Sequence, residues 1–224
     1  QDDHAGVYLI HYWSPFSLLG FTTSARADYD ENYGYEFLPQ LNISYSPGRL
    51  TFRGMTGRSI RAADYTERYI STNLQSTLSP GRNIGNPNLK AEKAWNYEIG
   101  IDYSLNKKIT LNTTGFYRKS RDLIDYALVQ GQQINSTPFT VDTAYYFHSM
   151  NLKELNTYGI ESILTINREL GTVHLNGSVG YSYIEATNDE DIVGKYISAH
   201  AKHLVSGNLT FGYKSINLSL TSLY

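Results

Sequence analysis

The chain has 224 residues, no Cys, and 19 Lys and Arg against 21 Asp and Glu, a formal net charge of −2. This balance gives no electrostatic case for nucleic acid as a partner, and the lack of Cys excludes disulfides and thiolate metal sites. The sequence also lacks an apolar run of the roughly 18 residues that a membrane-spanning helix needs. A membrane protein built from strands stays open, because barrel strands hide their lipid-facing residues in alternation.

Alternation of apolar and polar residues predicts ten β-strands and no long helix. Between Trp95 and Tyr103 every second residue is large and apolar, while Asn96, Glu98 and Asp102 lie between them. In chain order the strands are predicted near residues 5–13, 17–28, 37–45, 50–58, 94–104, 109–119, 157–167, 172–185, 204–213 and 216–224. The sequence therefore predicts an all-β protein.

The predicted links between strands alternate in length. Short turns are predicted at 14–16, 46–49, 105–108, 168–171 and 213–215, and long links at 29–36, 59–93, 120–156 and 186–203. In an up-and-down sheet alternate links lie at the same end, so one end should carry the turns and the other the loops. Outer-membrane barrels have this asymmetry.

A soluble β-sandwich or solenoid used for adhesion would also alternate. Three features favour the membrane barrel: strands longer than the usual five or six residues, two loops that exceed the roughly 15-residue norm, and aromatic residues near the ends of the apolar faces. The predicted lipid-facing girdle consists of Trp95, Tyr103, Tyr45, Tyr117 and Tyr213. In a barrel the alternate positions Asn96, Glu98 and Asp102 would face a wet lumen.

Four segments in register resemble the β-barrel of TonB-dependent outer-membrane receptors of the cobalamin and ferric-siderophore type. They are "GRSIRAADYTERY" (57–69), "GNPNLKAEKAWNYEIGIDY" (85–103), "ITLNTTGFYRKSRDLIDY" (109–126) and "NTYGIESILTI" (156–166). The family-like positions are Arg61, Ala62, Glu67, Asn86, Pro87, Leu89, Glu92, Lys93, Asp122, Leu123, Ile124, Gly159 and Glu161. The resemblance covers nearly the whole chain.

The resemblance implies an antiparallel up-and-down transmembrane β-barrel of 22 strands, of which residues 1–224 would supply about ten from its C-terminal half. It implies an N-terminal plug that this chain does not include. The implied function is active uptake of a scarce metal chelate, cobalamin or a ferric siderophore, in the outer membrane of a Gram-negative bacterium. Energy would come from the TonB complex through the plug, and no cofactor is implied. The other implied partners are outer-membrane lipid and lipopolysaccharide and, in some members, a surface lipoprotein.

Ligand capture is expected on the long loops, where aromatic rings grip flat ligands and cations meet anionic chelates. The candidates are Tyr126, Tyr145, Tyr146, Phe147, His148, Arg61 and Arg68. The alternative is that the aromatic residues pack the loops together and that the arginines form salt bridges or contact lipopolysaccharide.

Other clusters carry weaker indications. Asp189, Glu190 and Asp191 offer hard oxygen ligands for Ca²⁺, but they lack EF-hand spacing and suit a solvated loop tip better. A metal site is otherwise not expected. Asp122 and Asp125 would be the acidic pair of an alternative enzyme, a complete ten-stranded outer-membrane protease, but no matching motif surrounds the six His residues. The chain is therefore not expected to be an enzyme.

Overall fold

The computed structural model of the chain describes residues 3–188 and 201–224, which form one eleven-stranded sheet. Its strands are β1 (His4–Phe16), β2 (Leu19–Asp30), β3 (Gly34–Tyr45), β4 (Leu50–Arg61), β5 (Asn83–Ile84), β6 (Glu92–Asn106), β7 (Ile109–Gln130), β8 (Tyr145–Leu170), β9 (Val173–Asn188), β10 (His203–Tyr213) and β11 (Ile216–Leu223). The helix α1 spans Tyr65–Tyr69, and a 3₁₀ turn spans Gly131–Gln133. Ten strands pair antiparallel in chain order, and β5 pairs parallel with β8. The predicted all-β antiparallel fold is confirmed.

The outer face of the sheet is defined by the odd-numbered residues of β6. Paired residues in a ladder point to the same side, so the register carries this face across the sheet. Tyr97 lies opposite Tyr117, which lies opposite Tyr158. Ile99 on this face is 75% exposed in the middle of a strand, which suits contact with lipid and not with water. All five predicted girdle residues lie on the outer face, Trp95 and Tyr117 towards the loop end and the others towards the turns: Tyr45, Tyr103 and Tyr213.

The opposite face of the sheet carries polar and charged side chains. Arg53 on β4 donates two hydrogen bonds, of 2.8 and 2.9 Å, to the Asp102 carboxylate on β6. Asn112 on β7 donates a third to the same carboxylate at 2.7 Å. A charge facing lipid would cost about 2–4 kcal/mol for Arg at mid-bilayer, so this face suits a wet lumen.

The link between β2 and β3 is short, which corrects the prediction of a long loop over 29–36. The ladder continues to the pair Asp30 and Gly34, leaving only residues 31–33 as a turn. The Tyr29 and Tyr35 rings lie 4.8 Å apart across the strands, and Gly34 takes the positive φ of 77° that the turn needs. The polar sequence "DYDENY" (28–33) therefore extends a hairpin, and the strict alternation of link lengths was wrong at this point. The turn predicted at 14–16 also lies later, at 17–18, because β1 continues to Phe16.

Strands β7 and β8 extend far beyond the membrane-spanning part of the sheet. They contain 22 and 26 residues, whereas a barrel strand crosses a bilayer in about 9–11. The predicted loop 120–156 is therefore mostly a hairpin, with only residues 131–144 between the two strands. We call the part of this hairpin from Arg121 to Glu154 the external arm.

The sheet is open in the part of the chain that the structure describes. The strand order runs from β1 to β11, and these two strands do not pair with each other. A complete ten-stranded barrel, the architecture required by the protease alternative, is not formed by residues 3–188 and 201–224. Over the same ranges we find no helix that is both long and apolar enough to cross a membrane.

Candidate ligand-recognition region

The external arm and the loop between β4 and β6 share a small hydrophobic core. Its fully or nearly buried members are Leu78 and Ile84 from the loop, Ile134 from the arm tip, and Tyr146 from β8. The side chains of Val129, Phe139 and Ala144 pack against them. Because the arm lies above the bilayer, burial of apolar area from water is what favours this docking.

The phenol of Tyr146 connects three segments inside this core. Its hydroxyl donates to the Leu78 carbonyl at 3.0 Å and accepts a hydrogen bond from the Val141 backbone N–H at 3.0 Å. The side chain has no exposed surface. Tyr146 therefore holds the loop and the arm tip against β8 and is not presented to solvent.

Strand β5 docks the loop along the edge of β8. Asn83 and Ile84 pair with Phe147 and His148 beyond the point where β9 ends, which is at Asn188 opposite Leu155. Among the described residues β5 thus covers a part of the β8 edge that β9 does not reach. The Ile84 carbonyl lies 3.3 Å from His148 Nδ1. Burial of the ring lowers the pKa of His148, and the hydrogen bond to Ile84 opposes that shift only in part.

A second connection is an ion-pair network around Arg61 at the top of β4. Its guanidinium donates two hydrogen bonds to Glu92, of 2.7 and 2.9 Å, and two to Glu67, of 2.9 and 3.0 Å. Glu92 is almost completely buried and also accepts from the Ile124 N–H at 2.8 Å. The hydrogen bonds to Glu92, followed by those to Glu67, raise the pKa of Arg61 above its ordinary value.

Helix α1 begins with a capping box that uses a member of this network. The Asp64 carboxylate accepts from the Glu67 N–H at 2.7 Å, and the Glu67 carboxylate accepts from the Asp64 N–H at 2.8 Å. Arg61 thus joins the start of α1 to β6 and β7. Because Arg61, Glu67 and Glu92 are all family-like positions, the resemblance that we noted in the sequence corresponds to one physical connection.

The Gly-Asn-Pro segment allows the loop to approach α1 closely. Gly85 donates from its N–H to the Ile70 carbonyl at 2.8 Å, and Asn86 donates to the Glu67 carbonyl at 3.0 Å. A Cβ on Gly85 would lie 2.6 Å from the carbonyl carbon and oxygen of Arg68, which are backbone atoms that cannot swing away. A side chain at this position would therefore force the loop off the helix.

The seven sequence-predicted ligand residues lie in this region with different exposures. Tyr126, Tyr146 and His148 are buried, Phe147 is half-buried, and Tyr145 is 52% exposed. Among the described residues the packing alternative therefore accounts for the position of the three buried side chains. Their contact with a ligand stays a prediction, as does that of Tyr145 and Phe147.

Arg68, the seventh predicted residue, lines a cleft of about 570 Å³ between the β2–β3 turn and the start of β6. Arg68 donates to the Asn32 side chain at 2.7 Å, and its guanidinium lies 5.2 Å from the centre of the Tyr69 ring. Its Nε is buried and has no hydrogen-bond partner within the described part of the chain. The other charged side chains in the lining are Lys90, Lys93 and Asp122, so cations predominate.

Sequence reasoning did not predict Lys90, Lys93 or Tyr33 as ligand residues. Tyr33 belongs to a segment that the sequence predicted as a long link, Lys90 was not singled out, and Lys93 was noted only as a family-like position. No local pattern shows that the β2–β3 hairpin lies beside the "PNLKAEK" segment (87–93). Asp189, Glu190 and Asp191, the candidate Ca²⁺ ligands, lie outside the described residues.

The sheet is open and antiparallel, and it has an apolar outer face, a polar inner face and a long external arm. This is the architecture of a wall segment from a large outer-membrane β-barrel. Residues 1–222 match the family described as "TonB dependent receptor-like, beta-barrel". The chain belongs to this family, whose members lie in the outer membrane of Gram-negative bacteria.

Two curated relatives support the assignment. The iron-regulated outer membrane virulence protein of Vibrio cholerae is 27% identical over 200 residues, 89% of this chain and 30% of that protein. The vitamin B12 transporter BtuB of Photobacterium profundum is 23% identical over 225 residues, the whole of this chain and 32% of that protein. The chain thus spans about a third of the length of each.

Solved structures share the fold. The siderophore receptor PirA of Pseudomonas aeruginosa matches 99% of this chain with a TM-score of 0.72 and 19% identity, over 39% of its own length. The ferric enterobactin receptor PfeA of the same species matches 99% of this chain with a TM-score of 0.70 and 17% identity, over 32% of its own length. The two solved structures are named as receptors, and one of the two curated relatives is named as a transporter.

Proposed function

We propose that the chain is part of an outer-membrane receptor that takes up a scarce metal chelate and is energised through TonB. The observation that supports this most strongly is the family match over residues 1–222. The docked external arm agrees with it, because a receptor needs a defined surface outside the membrane. A plug, the TonB complex and a surface lipoprotein would be partners of the complete protein.

A ferric chelate is the preferred ligand class, and cobalamin is the second candidate. The relative with 27% identity is named as iron-regulated, and the one named as a vitamin B12 transporter is 23% identical. The cleft beside Arg68 adds a physical reason. Cations outnumber carboxylates in its lining, and charge-assisted hydrogen bonds favour an anionic ligand such as a ferric siderophore.

Within this proposal Arg68 and Lys90 bind acidic groups of the chelate. Both side chains line the cleft, and Lys90 is exposed there. Tyr145 would add an exposed aromatic surface on the arm. Arg61 is committed to Glu67 and Glu92, so we assign it a positioning role rather than ligand contact.

The test is uptake by cells that produce the full-length receptor in a strain that lacks it. Radiolabelled ferric siderophores and radiolabelled cyanocobalamin are supplied separately, with and without a functional TonB. TonB-dependent uptake of an iron chelate supports the proposal, and uptake of cobalamin alone transfers it to the second candidate. Uptake of neither compound class, with the receptor present at normal level in the membrane, would refute it.

The cleft is tested by the double variant Arg68→Gln/Lys90→Gln. Loss of two charge-assisted hydrogen bonds, each worth about 1.5–3 kcal/mol, predicts binding of the transported ferric siderophore that is weaker by at least about a hundredfold. Lys107→Gln is the matched control, because Lys107 lies in the β6–β7 turn at the opposite end of the sheet. Unchanged affinity in the double variant would remove the cleft from the ligand site.

A further inference from the structure

The sheet is split at its loop end between β3 and β4. The backbone ladder between these two strands ends at the pair Gln40 and Gly57. Beyond this pair, within the described part of the chain, residues 34–39 have ladder partners only on β2 and residues 58–61 only on β6. The residue of β3 that follows the last pair is Pro39, which has no N–H to continue a ladder. We call the gap between these two segments the seam.

The seam is closed by side chains that reach across it from β4 and β6. Arg58 on β4 donates to the Glu36 carboxylate at 2.5 Å and to the Phe37 carbonyl at 2.7 Å. Lys93 on β6 contacts the other oxygen of the same carboxylate at 2.5 Å. Glu36 is 7% exposed, so protein surrounds this carboxylate almost completely. Because these are side-chain contacts, they can break while the strands on each side of the seam keep their backbone ladders.

The cleft beside Arg68 lies across the loop end of the seam. One of its sides is the β2–β3 turn with Asn32, and the other includes Arg68, Lys93 and residues 87–91. Arg68 donates to the Asn32 side chain at 2.7 Å and so bridges the two sides. Two cations that line the cleft are therefore each bonded to a group from the opposite side of the seam.

These two bridges use the cations that the cleft offers to an anion. The Glu36 carboxylate and the Asn32 amide oxygen are acceptors, as the acidic groups of a chelate are. An N–H bonded to one acceptor is taken from another, so the bridges and a bound anion compete. When Lys93 leaves Glu36, the carboxylate keeps its hydrogen bond from Arg58. The exchange therefore leaves no unpaired buried charge behind, which would otherwise make it costly.

We propose that an anionic chelate opens the seam. In the cleft it takes Arg68 and Lys93 from Asn32 and Glu36, and the β2–β3 turn then moves away from α1 and the start of β6. Without a chelate the same two acceptors occupy the cations and oppose anion binding. A chelate with no net charge leaves both bridges in place. This inference rests on the proposed function in taking the ligand of the cleft to be an anionic chelate.

The first experiment measures the width of the seam in the full-length receptor, in lipid vesicles and without any chelate. Spin labels are attached at Glu31→Cys and Thr66→Cys, two exposed positions on the β2–β3 turn and on α1, and double electron–electron resonance gives their separation. Residues 1–224 contain no Cys that would be labelled as well. The release variant is Asn32→Ala/Glu36→Gln, which removes one acceptor and neutralises the other.

The matched control for the release variant is Glu154→Gln. Glu154 also holds two cations, Lys119 and Arg121, but it does so across the continuous ladder between β7 and β8. We expect the release variant to show a longer mean distance and an open fraction about tenfold larger than the wild-type receptor, since two hydrogen bonds to charged groups are weakened or lost. The control should keep the wild-type distance distribution.

The second experiment adds a chelate to the labelled wild-type receptor. Ferric citrate, which is anionic, should lengthen the distance between the labels, whereas cyanocobalamin, which has no net charge, should leave it unchanged. Titration calorimetry then compares the affinity for ferric citrate. We expect the release variant to bind it about tenfold more tightly than the wild-type receptor and Glu154→Gln to bind it equally, because only the release variant frees Arg68 and Lys93.

Three results would overturn the inference. A wild-type distance in the release variant would show that the bridges do not hold the seam closed. Weaker binding of ferric citrate by the release variant would show that the bridges support the cleft rather than compete for it. A wild-type distance that ferric citrate does not change would remove the anion as the cause of opening.

The label distances require no transport, so they are independent of the uptake assay. Uptake of an iron chelate by a receptor whose seam does not respond would refute this inference alone. A seam that responds in a receptor that takes up no iron chelate would support the inference and refute only the proposed function.

Discussion

Replacement of Arg61 by Met should undock the loop between β4 and β6 from the external arm. The Met side chain is of similar length but has no hydrogen-bond donor. Glu92, which is 5% exposed, then keeps only one of the donors described above, the Ile124 N–H. The Glu67 carboxylate loses its two hydrogen bonds from the guanidinium as well.

The magnitude follows from the burial of the two partners. Removing one partner of a fully buried ion pair costs about 3–5 kcal/mol, because an unpaired charge stays behind. Because the Arg61 side chain is 44% exposed, solvent screening lowers the expected cost of its removal to about 2–3 kcal/mol. At 1.4 kcal/mol for each factor of ten, the undocked population should rise about 30- to 150-fold.

Amide hydrogen exchange in the full-length receptor measures this population. The informative peptide covers residues 78–91, because the N–H groups of Leu78, Gly81 and Lys90 donate to the arm residues Phe139, Tyr145 and Asn151 only in the docked loop. The control is Arg53→Met, which breaks a bidentate pair with Asp102 on the inner face and should leave exchange of this peptide unchanged.

A second variant separates charge from packing. In Arg61→Met/Glu92→Gln the neutral amide still accepts from Ile124 but leaves no buried charge, so exchange should return most of the way to the wild-type rate. Exchange in Arg61→Met within twofold of wild type would refute the reasoning. Failure of Glu92→Gln to restore protection would show that an unpaired carboxylate is not the cause.

Three further predictions concern the same docked region, and peptide exchange or proteolysis of the loop checks each. Burial lowers the pKa of His148, so the undocked state takes up a proton below about pH 6.5 that the docked state resists. Docking should therefore be strongest above that pH and weaken as the pH falls. In His148→Gln the difference in docking between pH 7.5 and pH 5.5 should be lost. In Tyr146→Phe, the Val141 N–H and the Leu78 carbonyl lose their hydroxyl partner, which predicts a loss of about 1–3 kcal/mol and faster exchange at the arm tip, residues 131–144; exchange equal to wild type would contradict it. In Gly85→Ala the new Cβ would overlap the backbone of Arg68, with an expected cost of about 1–3 kcal/mol, whereas Gly54→Ala meets no atom and should leave the loop unchanged.

Local sequence patterns are enough to predict the strands in the membrane and the face that each of their residues occupies. Alternation is a local property with a period of two, so the stretch from Trp95 to Tyr103 shows both faces without knowledge of any neighbour. All ten predicted strands and the outward position of the five girdle aromatics follow from it. The resemblance carried by the Arg61, Glu92 and Gly85 segments indicated the family for the same reason, because short motifs stay intact in the sequence.

Tertiary structure decided what lies above the membrane. In the external arm residues 124–127 are all buried, because the loop between β4 and β6 packs on the arm and leaves neither face of it free there. The alternation of apolar and polar residues is therefore absent from this part of the sequence. Strand β5 pairs with residues that lie 64 positions further along the chain. Arg68, Lys90 and Lys93 likewise line one cleft only because the β2–β3 hairpin lies beside them. Contacts between distant segments depend on shape and burial, and a local sequence pattern contains neither.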